Sequence, residues 1–411
     1  MKNIIFATGI EGSYPTVQGG KRRDQMEETR HYEHLRQDFQ LCLDVGAKVI
    51  RWGPPYYRMH LGPHKYDWSF TDEVLPVMRQ MGLTPIMDLC HFGVPDWVGD
   101  FQNEDWPELF ADFAGAFAKR YPWIKLYTPV NEIYVCARFS AQEGIWNEQL
   151  KSEKAMLKSH GVQCKATLLA IEAILKVVPE AVFFQSEACE LFLETHPETR
   201  EEIELRNSMR FITFDLLYGH PPEGHLLNYL YDQGVKREQY DWFMEHGRKA
   251  APHCIMGMDY YDGHEQTLTG HGSPESIGPA LGWGNIARQY FHRYRKPMML
   301  TETNTGHPED GPKWLWKTWH NLALLRSEGL PVIGYTWYSL QNQVDWDIQL
   351  REIRGNEIGN GLFRLDRTPN PVAQAFSDLC SRYANEPLLP AFAMGKMPGG
   401  LGNLHNSERV A

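Results

Sequence analysis

The chain has no CxxC pair, no long apolar run and no extended cluster of Lys or Arg. Each absence removes a class of protein. Seven cysteines, an odd number, are scattered singly through apolar segments. That argues against a disulfide framework or a thiolate zinc site and for reduced, buried thiols in a cytoplasmic protein. The apolar run at the N-terminus, Ile4 to Ala7, stops at Gly9. It is too short for a signal segment and reads as a first strand. No stretch approaches the length of a membrane helix. With a net charge of −11, the chain lacks the basic surface that nucleic acids or anionic membranes recruit. Its longest basic triplet, Lys21, Arg22 and Arg23, is offset by Asp24, Glu27 and Glu28. Gly9-Ile10-Glu11-Gly12 is not GxGxxG, so a doubly wound dinucleotide fold has no phosphate turn to rest on.

What is present is a repeated pattern: short apolar run, loop, amphipathic helix. The runs are Ile4–Thr8, Lys48–Trp52, Thr84–Cys90, Leu126–Asn131, Val182–Glu187, Cys254–Tyr260, Met298–Thr303 and Val332–Ser339. They are nearly all apolar, as buried parallel strands are. Helical periodicity fills the gaps at 28–45, 70–81, 106–120, 163–178, 201–218, 237–246, 286–294, 313–327 and 372–383. Eight β/α alternations in 411 residues predict an α/β fold, a single (β/α)8 TIM barrel over 1–385. The segment 386–411, rich in Gly and Pro, is expected to be a tail packed on the barrel or trailing from it.

Polar residues stand just past these apolar runs. They are Arg51, His91, Asn131 with Glu132, Glu187, Tyr260 with Tyr261, Glu302, and Trp337 with Tyr338. In a barrel the C-terminal strand ends build the active site. Glu132 and Glu302 close the fourth and seventh runs, on opposite sides of the mouth. A carboxylate pair so placed is the equipment for breaking a glycosidic bond. The two groups stand about 5–5.5 Å apart for retention and about 6.5–9.5 Å apart for inversion. One must stay ionised, for which Arg51 is the candidate cation and Tyr261 the candidate hydroxyl. The other must hold its proton. Glu187 reads either as a structural partner or as a contact to the leaving group. Trp337 and Trp346 suit stacking on a sugar ring. His60, His64, His264 and His307 lie in loops on the same face, but no pair has metal-ligand spacing with a carboxylate, so no metal and no cofactor are expected.

These residues carry a resemblance to glycoside hydrolase family 1. Thr128-Pro129-Val130-Asn131-Glu132 matches the acid/base motif T-x-N-E-P at T, N and E, and Thr301-Glu302 matches the start of the nucleophile motif T-E-N-G. His91 to Pro95 resembles H-W-D-L-P, Gly257 to Tyr261 resembles G-I-N-Y-Y, and Ser339 to Trp346 resembles S-L-L-D-N-F-E-W. The resemblance implies a retaining, exo-acting β-glycosidase of β-glucosidase type, acting on small soluble glycosides by double displacement. Glu132 would be the acid/base and Glu302 the nucleophile. Asn131 would hold the 2-hydroxyl, and Arg51 and Tyr261 would support Glu302. His91 would reach the 3-hydroxyl region, Trp337 or Tyr338 would underlie the ring, and Asp345 and Trp346 would meet the far hydroxyls. The chain departs from the family in several places, one being Glu302, which is followed by Thr303-Asn304-Thr305-Gly306 and not directly by N-G. Pro15 follows Ser13-Tyr14 where the family has Gln, leaving Glu11 or Gln18 to substitute. Asp345 replaces a Glu, and Ile133 replaces the Pro after the acid/base. Transglycosylation on the same site and a binding-only barrel are the alternative outcomes. The expected partner is a small-molecule glycoside.

Overall fold

A computed structural model describes residues 1–395, 397–398 and 401 of the chain. Eight parallel strands close into a barrel. They are β1 Ile5–Gly9, β2 Val49–Trp52, β3 Thr84–Asp88, β4 Leu126–Thr128, β5 Val182–Ala188, β6 Cys254–Asp259, β7 Met298–Glu302 and β8 Val332–Trp337. Each pairs with its sequence neighbour, and β8 closes on β1 in the register Thr8 to Trp337. The eight strands lie where the sequence puts them, but β3, β4 and β8 stop two or three residues earlier than expected. At β4 the cause is Pro129, which has no N–H for the ladder.

Alternation along the strands divides the barrel interior into two layers. The lower layer is apolar: Ile5, Val49, Ile86, Leu126, Phe184, Ile255, Met299 and Ile333 form one buried cluster. Two residues further along, the same faces carry Arg51, Asp88, Thr128, Ser186 and Thr301, all buried. Asp259, two beyond Gly257 on β6, joins them. A period of two thus turns eight apolar runs into an oily floor, with six of the strands raising polar side chains above it. The opposite strand faces, among them Trp52, Met87, Tyr127, Phe183, Met258 and Leu300, pack in the large core beneath the helices.

The helices differ from expectation mainly at their starts. The expected 163–178 helix runs Glu153–Leu175. Ser152 caps it by accepting from the Ala155 N–H at 3.4 Å, and the polar first turns mask the periodicity. The expected 28–45 helix is split by Arg30, whose φ of +59° leaves Gln25–Glu28 and His31–Asp44 as separate helices. The expected 201–218 helix is also two, Arg200–Met209 and Ile212–Tyr218, and Gly224–Asp232 adds one not anticipated. All seven cysteines are free and buried. No described helix is long and apolar enough to cross a membrane.

The described part of the tail closes the barrel base. Ile4 N–H donates to Glu386 O, Leu388 N–H donates to Lys2 O, and Arg326 binds the Pro387 and Leu388 carbonyls. Leu401 is fully buried in the lower apolar layer, and Leu388, Leu389 and Met397 pack against it. Leu401→Ala should therefore cost about 2–5 kcal/mol, the usual range for a buried Leu. A lower midpoint in thermal unfolding, with kcat unchanged because the polar mouth lies at the other end, is the expected result.

Candidate active site

The polar mouth is organised around one guanidinium. Arg51, on β2, is buried and reaches β3, β7 and the segment after β4 at once. It contacts the Glu302 carboxylate and the Asn131 amide oxygen, and donates to Asp88 Oδ2 at 2.9 Å. The Tyr261 hydroxyl donates to the other Glu302 oxygen at 2.6 Å. Glu302 therefore has a cation on one oxygen and a hydroxyl donor on the other.

Asn131 continues the network. Its amide nitrogen lies 3.0 Å from His91 Nε2, and His91 Nδ1 lies 2.8 Å from Asp88 Oδ2. With Asn131 donating to Nε2, His91 carries its proton on Nδ1, toward Asp88. Gly9 lets the last of these neighbours in. A Cβ there would run into the Tyr338 ring, which lies 5.4 Å from the Arg51 guanidinium carbon and nearly parallel to His91.

Glu132 is placed differently. It follows the Pro129 break, its N–H donates to Ser186 O on β5, and its φ of +36° is left-handed. A non-glycine residue there is strained, and strain of this kind collects at functional positions. Glu187 holds the segment that follows: its carboxylate accepts from Ile133 N–H at 2.8 Å and Tyr134 N–H at 3.3 Å. Burial raises the Glu187 carboxyl to about 7 against these hydrogen bonds. Glu187 is thus a backbone clamp behind the segment that follows Glu132, and among the described residues its hydrogen-bond partners include neither Arg nor His.

One carboxylate oxygen from each of Glu132, Asp259 and Glu302 lies within 4.8 Å of the others, and all three residues are buried. Burial first, then Glu302 and Asp259, push the Glu132 carboxyl well above the usual carboxylate range. The pair is therefore asymmetric: Glu302 is held by a cation and a phenol, and Glu132 faces like charge. Such a pair supplies one nucleophile and one acid. The same triangle is the cation-binding candidate by ligand type. Both oxygens of Glu302 are already engaged by Arg51 and Tyr261, so the donor set suits proton sharing better than metal ligation.

The remaining expected residues fall into two groups. Trp346 packs against Phe92 and Trp146, and its buried indole N–H has no acceptor among the described residues. Trp337 and Asp345 are not available to a sugar as anticipated. The pairing of β8 with β7 shifts register between Met298–Val332 and Leu300–Tyr335, so Trp337 lies in the outer core, where its indole N–H donates to Asn360 O at 3.0 Å, and Tyr338 is the ring beside Arg51. Asp345 is fully buried, and its oxygens accept from Arg23, from the backbone N–H groups of Arg354 and Gly355, and from that of Asn356. It ties the loop after β8 to Arg23.

Asp88, Asp259 and Glu11 complete the site. Asp88 and Asp259 each sit two residues beyond an inward apolar or glycine position, and that spacing is the signal by which they can be read. Asp259 also stands where G-I-N-Y-Y has Asn. Glu11 accepts from Gln343 Nε2 at 2.6 Å and lies 3.8 Å from His91 Nε2.

Comparison with known proteins follows the same lines. The model of Glycosyl hydrolase family 1 matches residues 15–221. A 6-phospho-beta-glucosidase, AscB of Escherichia coli, is 24% identical over 166 residues, 38% of this chain and 35% of that protein. The aryl-phospho-beta-D-glucosidase BglA of Bacillus subtilis is 27% identical over 112 residues, 25% of this chain and 23% of that protein. The chain thus matches about a third or less of the length of these curated relatives. Among solved structures, a family 1 β-glucosidase from Thermotoga maritima superposes at a TM-score of 0.77, with 15% identity, covering 92% of this chain and 98% of its own. A complex of the Thermotoga maritima β-glucosidase with deoxynojirimycin superposes at 0.78 over 93% and 98%. At that identity the superposition speaks for the barrel alone. With a family model spanning half its length, laid over a closed eight-stranded barrel, the chain belongs to glycosyl hydrolase family 1.

Proposed function

We propose that the protein is a retaining, exo-acting β-glycosidase that cleaves small glycosides by double displacement. The observation that carries this reading is the unequal treatment of two facing carboxyls: Glu302 between Arg51 and Tyr261, Glu132 buried against like charge. Glu302 attacks the anomeric carbon and the glycosidic C–O bond breaks as Glu132 gives its proton to the departing oxygen. Water then displaces Glu302 from the same carbon, losing its proton to Glu132. Asn131, held by Arg51 and His91, supplies an amide to the 2-hydroxyl. His91 and the Trp346 indole N–H are further groups for the ring hydroxyls.

The glycone we infer is uncharged, although the two curated relatives are named for phosphorylated glucosides. The cations near the loop after β8 are spoken for. Arg23 binds Glu28, Asp345 and two carbonyls, Arg354 pairs with Glu352, and Arg351 lies 3.6 Å from Glu143. Parallel assays on 4-nitrophenyl β-glucoside and its 6-phosphate test this. A kcat/KM about tenfold or more higher on the neutral glycoside is expected, a difference of about 1.4 kcal/mol. Preference for the phosphate would reverse the inference about the glycone, and turnover of neither would count against the hydrolase reading.

A further inference from the structure

The third carboxyl of the triangle has no part in the two-carboxylate reaction, and it sits where a charge acts on both members. Ser186 Oγ lies 2.8 and 2.7 Å from the two Asp259 oxygens, and Thr301 Oγ1 lies 2.7 Å from Oδ1. These donors come from β5 and β7, on either side of β6, in the same interior layer. Two hydroxyls aimed at one buried carboxylate stabilise its charge. Opposite it, Glu302 is engaged on both oxygens, and Arg51 divides its donors between Glu302, Asp88 and Asn131. One guanidinium thus serves more carboxyls than it can neutralise, and the deficit is shared by Glu132 and Asp259, of which Asp259 has two hydroxyl donors to hold its charge.

We propose that Asp259 is a positioning residue of the reaction, whose charge keeps the transferable proton on Glu132. It makes no bond to the sugar in this role and gives up no proton. It acts through space on the group that does, across less than 5 Å of protein interior. This inference rests on the acid/base assignment of Glu132. Several other groups face the triangle: Arg51 from β2, Asp88 and His91 from β3 and its loop, Glu187 from β5, Tyr261 after β6, and Tyr338 and Glu11 from the loops of β8 and β1. Glu187 adds to the same effect, and Arg51 opposes it. Burial and Glu302 raise Asp259 itself well above the usual range, against Arg51 and its two hydroxyl donors.

The test is the pH dependence of kcat/KM for Asp259→Asn on an aryl β-glycoside with a poor leaving group. The substitution keeps the shape and removes the charge, with one accepting oxygen becoming a donor to which the Ser186 hydroxyl can turn. The basic limb, which reports loss of the Glu132 proton, should move down by about one pH unit. With a β-glycosyl fluoride, whose leaving group needs no proton, the same variant should show no such movement. The double variant Ser186→Ala, Thr301→Val strips the two donors instead. By neutralising Asp259 it should move the limb the same way, which keeps the test open if Asp259→Asn does not fold. A basic limb at the wild-type position in the folded variants overturns the role of Asp259. A wild type whose basic limb is the same for phenol and fluoride leaving groups removes the acid role of Glu132, and the inference with it.

Discussion

Glu302→Ala is expected to lower kcat/KM by about 10⁴-fold or more on any substrate, about 5.4 kcal/mol of lost transition-state stabilisation. No other carboxylate in the mouth has the same pair of partners. Asp88 is turned to Arg51 and His91, Asp259 to two hydroxyls, and Glu187 to backbone N–H groups. The fold should survive, because Arg51 keeps Asp88 and Asn131. Added azide distinguishes a lost nucleophile from general damage. With an activated aryl β-glycoside, azide occupying the vacated space attacks the anomeric carbon once, so the product is the α-glycosyl azide. A Glu302→Ala enzyme within tenfold of wild type would place the nucleophile elsewhere.

Glu132→Ala should give a loss that depends on the leaving group. General acid assistance contributes about 10²–10⁴-fold. That whole factor should be missing for an alkyl or unactivated phenyl glycoside, and little of it for a glycosyl fluoride. Here azide attacks the glycosyl-enzyme, a second inversion, so the product is the β-glycosyl azide. The opposite anomers from the two variants assign the two carboxyls their roles without reference to pKa. Equal losses for all leaving groups would mean that Glu132 acts on something other than the departing oxygen.

Much of the fold was legible because its signal is local. Eight apolar runs separated by helical periodicity need no distant pairing to be recognised. The carboxylates at run ends were legible for the same reason: Glu132 and Glu302 each end an apolar segment. What escaped depends on partners far apart in sequence. Asp345 reads as one more acidic group in a loop until Arg23, 322 positions away, is found against it. Trp337 and Tyr338 are adjacent, and only the barrel register decides that the first faces the core and the second faces Arg51. Asp88 and Asp259 lie within strands read as apolar runs, where alternation by two, counted from Ile86 and Gly257, marks them as mouth residues. The tail has little periodicity, so nothing in it signals that Leu401 completes the barrel floor.

Glu302 is expected to become covalently bound to the sugar during turnover. Incubation with 2-deoxy-2-fluoro-β-glucosyl fluoride, followed by intact mass and peptide mapping, tests it most directly. The fluorine slows both steps, and the fluoride leaving group restores the first, so the glycosyl-enzyme should accumulate. A mass gain of one fluorosugar, located on the peptide containing Glu302, is the expected result. The same gain on a peptide carrying Glu132 or Asp259 would contradict it.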